Sequence, residues 1–161
     1  MRFIFLNLAK PGLISRATAV WLLAASLFAA PVWAQENAAA DQHYLAEFEL
    51  HTVQEMQAFL MRAEQLMVDG AIPLDGEPRI AFVLHGPEVR VLLRKNYLQN
   101  KEVVDKAAAL SALGVVEIKA CRTWMGGDGI DPAELQFFVE TVPYGPSETK
   151  RLVERENYIS F

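Results

Sequence analysis

Ile80-Ala81-Phe82-Val83-Leu84-His85-Gly86-Pro87 is the stretch on which the fold turns. Five apolar residues run without a polar interruption and stop at a Gly-Pro pair. A half-buried strand alternates apolar and polar side chains; an unbroken run this short suits a strand covered on both faces, as in a parallel sheet. Upstream, residues 70–78 carry Pro73, Gly76 and Pro78 and read as loop. Before them Val53, Met56, Leu60, Ala63 and Met67 recur at three- and four-residue spacing, a helical face ending near Val68 ahead of Asp69-Gly70. Its methionines read as core filler. Thr52-x-x-Glu55 supplies a capping box at its start, and Tyr44–Leu50 alternates as a first strand.

Downstream, Glu88–Lys95 predicts a short helix with Pro87 in its first turn, and Lys101–Leu113 a longer one capped by Gly114. Val115–Cys121 is the third strand. A helical turn, Arg122–Met125, and a Gly126-Gly127-Asp128-Gly129 loop follow it. Asp131-Pro132-Ala133-Glu134 reads as N-cap, N1 and N3 of another short helix. Phe137–Val142 is strand-like, Pro143–Pro146 breaks the chain, Ser147–Glu156 is a charged amphipathic helix and Tyr158–Phe161 a closing strand. The order β-α-β-α-α-β-α-β-α-β predicts a single three-layer α/β domain, with a mostly parallel five-stranded sheet and helices on both faces.

The first 34 residues have the grammar of a secretory signal. Arg2, Lys10 and Arg16 stand without an acidic partner, an apolar run follows from Ala17 to Ala30, and Pro31-Val32-Trp33-Ala34 places small residues at a cleavage site. Retention as a membrane anchor is the competing reading, since residues 17–34 are borderline for spanning. Cleavage after Ala34 puts the protein in the periplasm, with a flexible leader over 35–42 and the domain over 43–161. The 127 remaining residues make one domain with a real core. Twelve basic residues then face twenty acidic ones, a net charge of −8, which argues against nucleic acid and against anionic membrane surfaces as partners.

Cys121 is the only cysteine of an exported chain. Lone thiols are unusual in an oxidising compartment, and one cysteine makes no intramolecular bridge. It is a buried hydrophobe, an intermolecular linker or a working thiol, and the sequence leaves all three open. Parallel α/β sheets react at the carboxyl ends of their strands. His51 follows the first strand, His85 ends the second and Cys121 ends the third, so all three are expected at one sheet edge. A helix start after Cys121 and the adjacent Arg122 would both favour its nucleophilic form. His85, with Gly86 beside it, is a candidate base or a donor that orients a bound anion, or simply caps its own loop; Trp124 covers the thiol or packs in the core. No metal-ligand spacing joins the three histidines and the cysteine, and no cofactor motif occurs. The glycine-rich loop lacks the Lys-Ser/Thr of a phosphate loop and reads as a flap or a turn.

Four segments carry a resemblance. "IAFVLHGP" (80–87), "GVVEIKAC" (114–121), "GIDPAEL" (129–135) and "VPYGPSETKRLVERENYISF" (142–161) resemble, in order, segments of the DsrE/DsrF-like family. The similarity spans about Tyr44–Phe161. It implies a compact α/β domain that assembles into homo-oligomers, trimers or hexamers. It also implies, at the position of Cys121, a cysteine that carries sulfur as a persulfide and hands it to a thiol-bearing acceptor protein. The well-described carriers are cytoplasmic, whereas this chain carries an export signal. The alternative expectation is a non-catalytic oligomeric module that binds a small ligand and keeps Cys121 in its core.

Overall fold

The computed structural model describes residues 42–161; the expected signal segment over 1–34 and the expected leader through residue 41 lie outside the described residues. Five strands form one sheet in the order β4-β3-β2-β1-β5, every neighbouring pair parallel. They are β1 (Tyr44–Ala46), β2 (Ile80–Leu84), β3 (Val116–Cys121), β4 (Val139–Val142) and β5 (Ile159–Ser160). The helices are α1 (Val53–Val68), α2 (Lys101–Ala112), α3 (Arg122–Gly127) and α4 (Gly145–Glu156). The α/β architecture expected from the sequence is the one observed, and the sheet is parallel throughout.

The apolar run of β2 is buried at all five positions because it is the central strand, with cover on both faces. The chain steps from β1 to β4 in one direction, and α4 then returns it across the sheet to β5. Right-handed crossovers in opposite directions put their helices on opposite faces. Met56, Leu60 and Ala63 of α1 and Val103, Val104, Ala107 and Leu110 of α2 are buried in one large core with Ile80, Phe82 and Leu84. Leu152 of α4 joins Leu45, Ala81, Val83 and Tyr158 in a smaller core. Among the described residues, no helix is long and apolar enough to cross a membrane.

Several boundaries differ from expectation, each for a local reason. The first strand stops at Ala46, not Leu50. Phe48 still packs in the core, but the N–H groups of Glu49, Leu50 and His51 donate to the Glu55 carboxylate and so leave the ladder. Thr52 is the N-cap of α1, with Oγ1 accepting from Glu55 N at 3.1 Å. Residues expected as one short helix form two successive 3-10 helices, Pro87–Leu92 and Arg94–Gln99, because Leu93 is extended (ψ 135°) and interrupts them. Gly114 has the left-handed φ of 67° that a glycine cap supplies. Gly126 and Gly127 close α3 rather than forming a separate flap. The expected strand over 137–142 begins only at Val139, leaving Phe137 exposed. Gly145 and Pro146, expected to break the chain, are the first turn of α4, where a proline lacking its N–H is tolerated.

Candidate functional site

Strand register decides which side chains meet. Val83 pairs with Lys119 and Leu84 with Ala120, so Ala81 and Val83 share a face of the sheet with Glu117, Lys119 and Cys121. That face carries α4: Lys119 bonds to Glu148 of α4 at 3.1 Å. Cys121, the last residue of β3, is therefore delivered to the carboxyl edge of the sheet beneath the start of α4. His85 arrives beside it, one residue past β2.

Gly145 shows how close the three are. A Cβ built on it would lie 2.9 Å from His85 Cβ, 3.2 Å from Cys121 Cβ and 3.4 Å from His85 Cδ2. The first residue of α4 is thus in backbone contact with both candidate side chains, which no residue larger than glycine permits. His85, Cys121, Thr123, Trp124, Tyr144 and Pro146 line a cleft of about 260 Å³. Its rim is held by Thr123, whose N–H and hydroxyl both donate to the Pro143 carbonyl, at 3.3 and 2.8 Å. Larger hollows, of about 320–330 Å³, lie along α4 and between α2 and β4, and neither gathers a cysteine or a histidine.

Cys121 is 2% exposed, and its Sγ accepts the Trp124 N–H at 3.5 Å as the N-cap of α3. Trp124 forms one wall, with the Arg90 guanidinium 5.7 Å over its ring. Arg90 is in turn held by Asp128, Nε to Oδ2 at 2.8 Å. Arg122 is exposed on the first turn of α3 and does not line the cleft, contrary to expectation.

Behind His85 lies a second group. Glu88 is 1% exposed. Its Oε1 accepts the backbone N–H of both His85 and Gly86 at 2.8 Å, and its Oε2 lies 2.9 Å from His51 Nδ1. The His51 ring stands edge-to-face with His85, centroids 4.9 Å apart. His51 has a left-handed backbone, φ 52°. Gly86 makes room for this: a Cβ there would lie 2.6 Å from Glu88 Oε2 and from His51 Cγ. The three histidine and cysteine positions expected at one edge are brought together, and Gly86 belongs to the same turn. Glu88, Gly145 and Tyr144 were not anticipated. For Glu88 the signal was a carboxylate directly ahead of the apolar segment Val89-x-Val91-Leu92-Leu93; for Gly145 it was a glycine where a helix start carries no need of one. Among the described residues, no group of three or more His, Cys, Asp and Glu side chains is placed to hold a metal ion.

No family model matches the chain, and no curated protein matches it. The fold is similar to a solved structure from Methanobacterium thermoautotrophicum, the protein of unknown function MTH1491. Identity is 21% and the TM-score 0.53, over 74% of this chain and 93% of that one. The likeness extends to the fold.

Proposed function

We propose that this chain is an exported, DsrE-like sulfur-handling protein in which Cys121 carries sulfane sulfur as a persulfide. One observation carries the reading: the lone cysteine forms a wall of a cleft at the carboxyl ends of β2 and β3, with the imidazole of His85 in the same cleft. The start of α4 lies against both, and a helix start is a favourable setting for an anionic donor. A cleft of about 260 Å³ suits a short polysulfide or a small persulfide better than a bulky substrate.

The step balances without an external oxidant. The Cys121 thiolate attacks the outer sulfur of a donor R–S–SH; a new S–S bond forms on Sγ, the donor S–S bond breaks and RS⁻ leaves. The proton released from Cys121 passes through His85 to the leaving thiolate. An acceptor thiol then takes the terminal sulfur by the same exchange and restores Cys121. Periplasmic location, homo-oligomeric assembly and a thiol-bearing acceptor protein belong to this proposal.

A second reading has its own support. Cys121 is nearly inaccessible and already bonded to Trp124 N–H, as suits a structural cysteine in a non-catalytic binding module. Intact-mass measurement after incubation with polysulfide separates the two. Gain of whole sulfur atoms is expected, reversed by reductant and absent from Cys121→Ser. No gain by the folded protein, with thiol labelling only after denaturation, overturns the sulfur-handling proposal.

A further inference from the structure

The buried Glu88 carboxylate has no part in the exchange just described, and it is an expensive group to keep out of water. Capping the His85–Gly86 turn explains Oε1 alone; an amide oxygen would do the same. Oε2 faces His51 Nδ1, and a carboxylate only accepts. It therefore dictates that the His51 proton sits on Nδ1, leaving Nε2 as the lone-pair nitrogen of the neutral ring. Two local costs hold this arrangement: a left-handed backbone at a non-glycine residue, and a turn that excludes any Cβ at Gly86. The oriented ring then abuts His85, which lines the cleft beside Cys121.

We infer that Glu88 and His51 are a positioning pair for the Cys121 cleft: the carboxylate fixes the His51 tautomer, and through the ring contact and the turn it fixes the imidazole of His85 that exchanges protons with the thiol. This rests on Cys121 being a working thiol. The charged or titratable groups around His51 are Glu88 and His85 against its ring and Glu55, from the first turn of α1, beneath its backbone N–H.

The test uses the purified full chain. Long-range nitrogen–proton NMR reads the histidine tautomers, and iodoacetamide alkylation of Cys121 across pH reads the site without any sulfur chemistry. His51 is expected as the Nδ1–H tautomer, switching toward Nε2–H in Glu88→Gln. Alkylation at neutral pH is expected to slow about tenfold in that variant, with a displaced pH profile. His51→Asn keeps a residue tolerant of left-handed φ and is expected to slow alkylation likewise; it decides the question if Glu88→Gln does not fold. A native Nε2–H tautomer, variant profiles superimposed on the native one, or a native thiol inert at every pH each overturn the inference. If polysulfide adds no sulfur but both variants shift the alkylation profile, sulfur handling fails and the pair stands. If the variants load sulfur and alkylate as the native protein does, the pair fails and sulfur handling stands.

Discussion

Gly145 is the residue on which the cleft depends most directly. Its Cα hydrogen points where a methyl would overlap His85 Cβ and crowd Cys121 Cβ, and neither neighbour is the free end of a flexible side chain. Gly145→Ala must push the start of α4 away from β2 and β3. The expected cost is about 1–3 kcal/mol, read as a lower urea midpoint, together with faster alkylation of Cys121 as its cover lifts. An unchanged midpoint and rate would mean that α4 does not seat on these two side chains. Glu88 shows the opposite case, in which a residue that looks like an ordinary helix-start acid is fully buried. Both roles depend on distances between segments far apart in the chain.

Among the three long helices α1, α2 and α4, α4 has the smallest apolar anchorage. Leu152 is its main buried side chain, fully enclosed by Leu45, Ala81, Val83 and Tyr158. Leu152→Ala is expected to cost about 2–4 kcal/mol, measured by chemical unfolding. Because α4 also roofs the cleft, Cys121 labelling should rise in the same variant; stability lost with no change in labelling would separate the helix from the site. The loop before α1 is also locally built. Burial raises the Glu55 carboxyl, but hydrogen bonds from the backbone of Glu49, Leu50, His51 and Thr52 outweigh it and lower the group below its ordinary value. Three of these donors, Glu49, Leu50 and His51, are the ones that end β1, and they thereby place His51.

Across the molecule, a charged network ties α4 to the sheet. Lys119, buried in β3, bridges Glu117 at 2.9 Å and Glu148 at 3.1 Å, and Arg151 holds Glu148 from the helix at 2.8 Å. The Arg151 hydrogen bonds bring Glu148 down to about 2; burial opposes this and Lys119 adds to it. A carboxyl depressed in the folded state stabilises above its ordinary value near 4.5, and that contribution is lost as pH falls from there toward 2. Tyr158 runs the other way. Burial pushes its phenol up to about 12, with the charges of Glu117 and Glu156 adding. Its contribution is complete below about 10 and lost as pH rises toward 12. Glu148→Gln should lower stability at neutral pH by about 1–2 kcal/mol, less than an orphaned buried charge because Glu117 still holds Lys119. It should also flatten the acid limb between pH 4.5 and 2; urea midpoints at pH 7 and pH 3 that fall equally would rule the network out as the source.

Much of this was legible in the residues themselves. The unbroken run Ile80–Leu84 implied a strand buried on both faces, the spacing of Met56, Leu60 and Ala63 implied α1, and the alternation of strands and helices implied a parallel sheet, because periodicity and turn chemistry are local properties of the chain. The meeting of His51, His85 and Cys121 at one edge followed from the same logic, since consecutive parallel strands end on the same side. What stayed hidden was how deep each group lies and what covers it. The burial of Glu88, its bond to His51 thirty-seven residues away and the seating of Gly145 on Cys121 are long-range contacts. They are set by sheet register and by the return of α4 across the opposite face, and no local pattern encodes either.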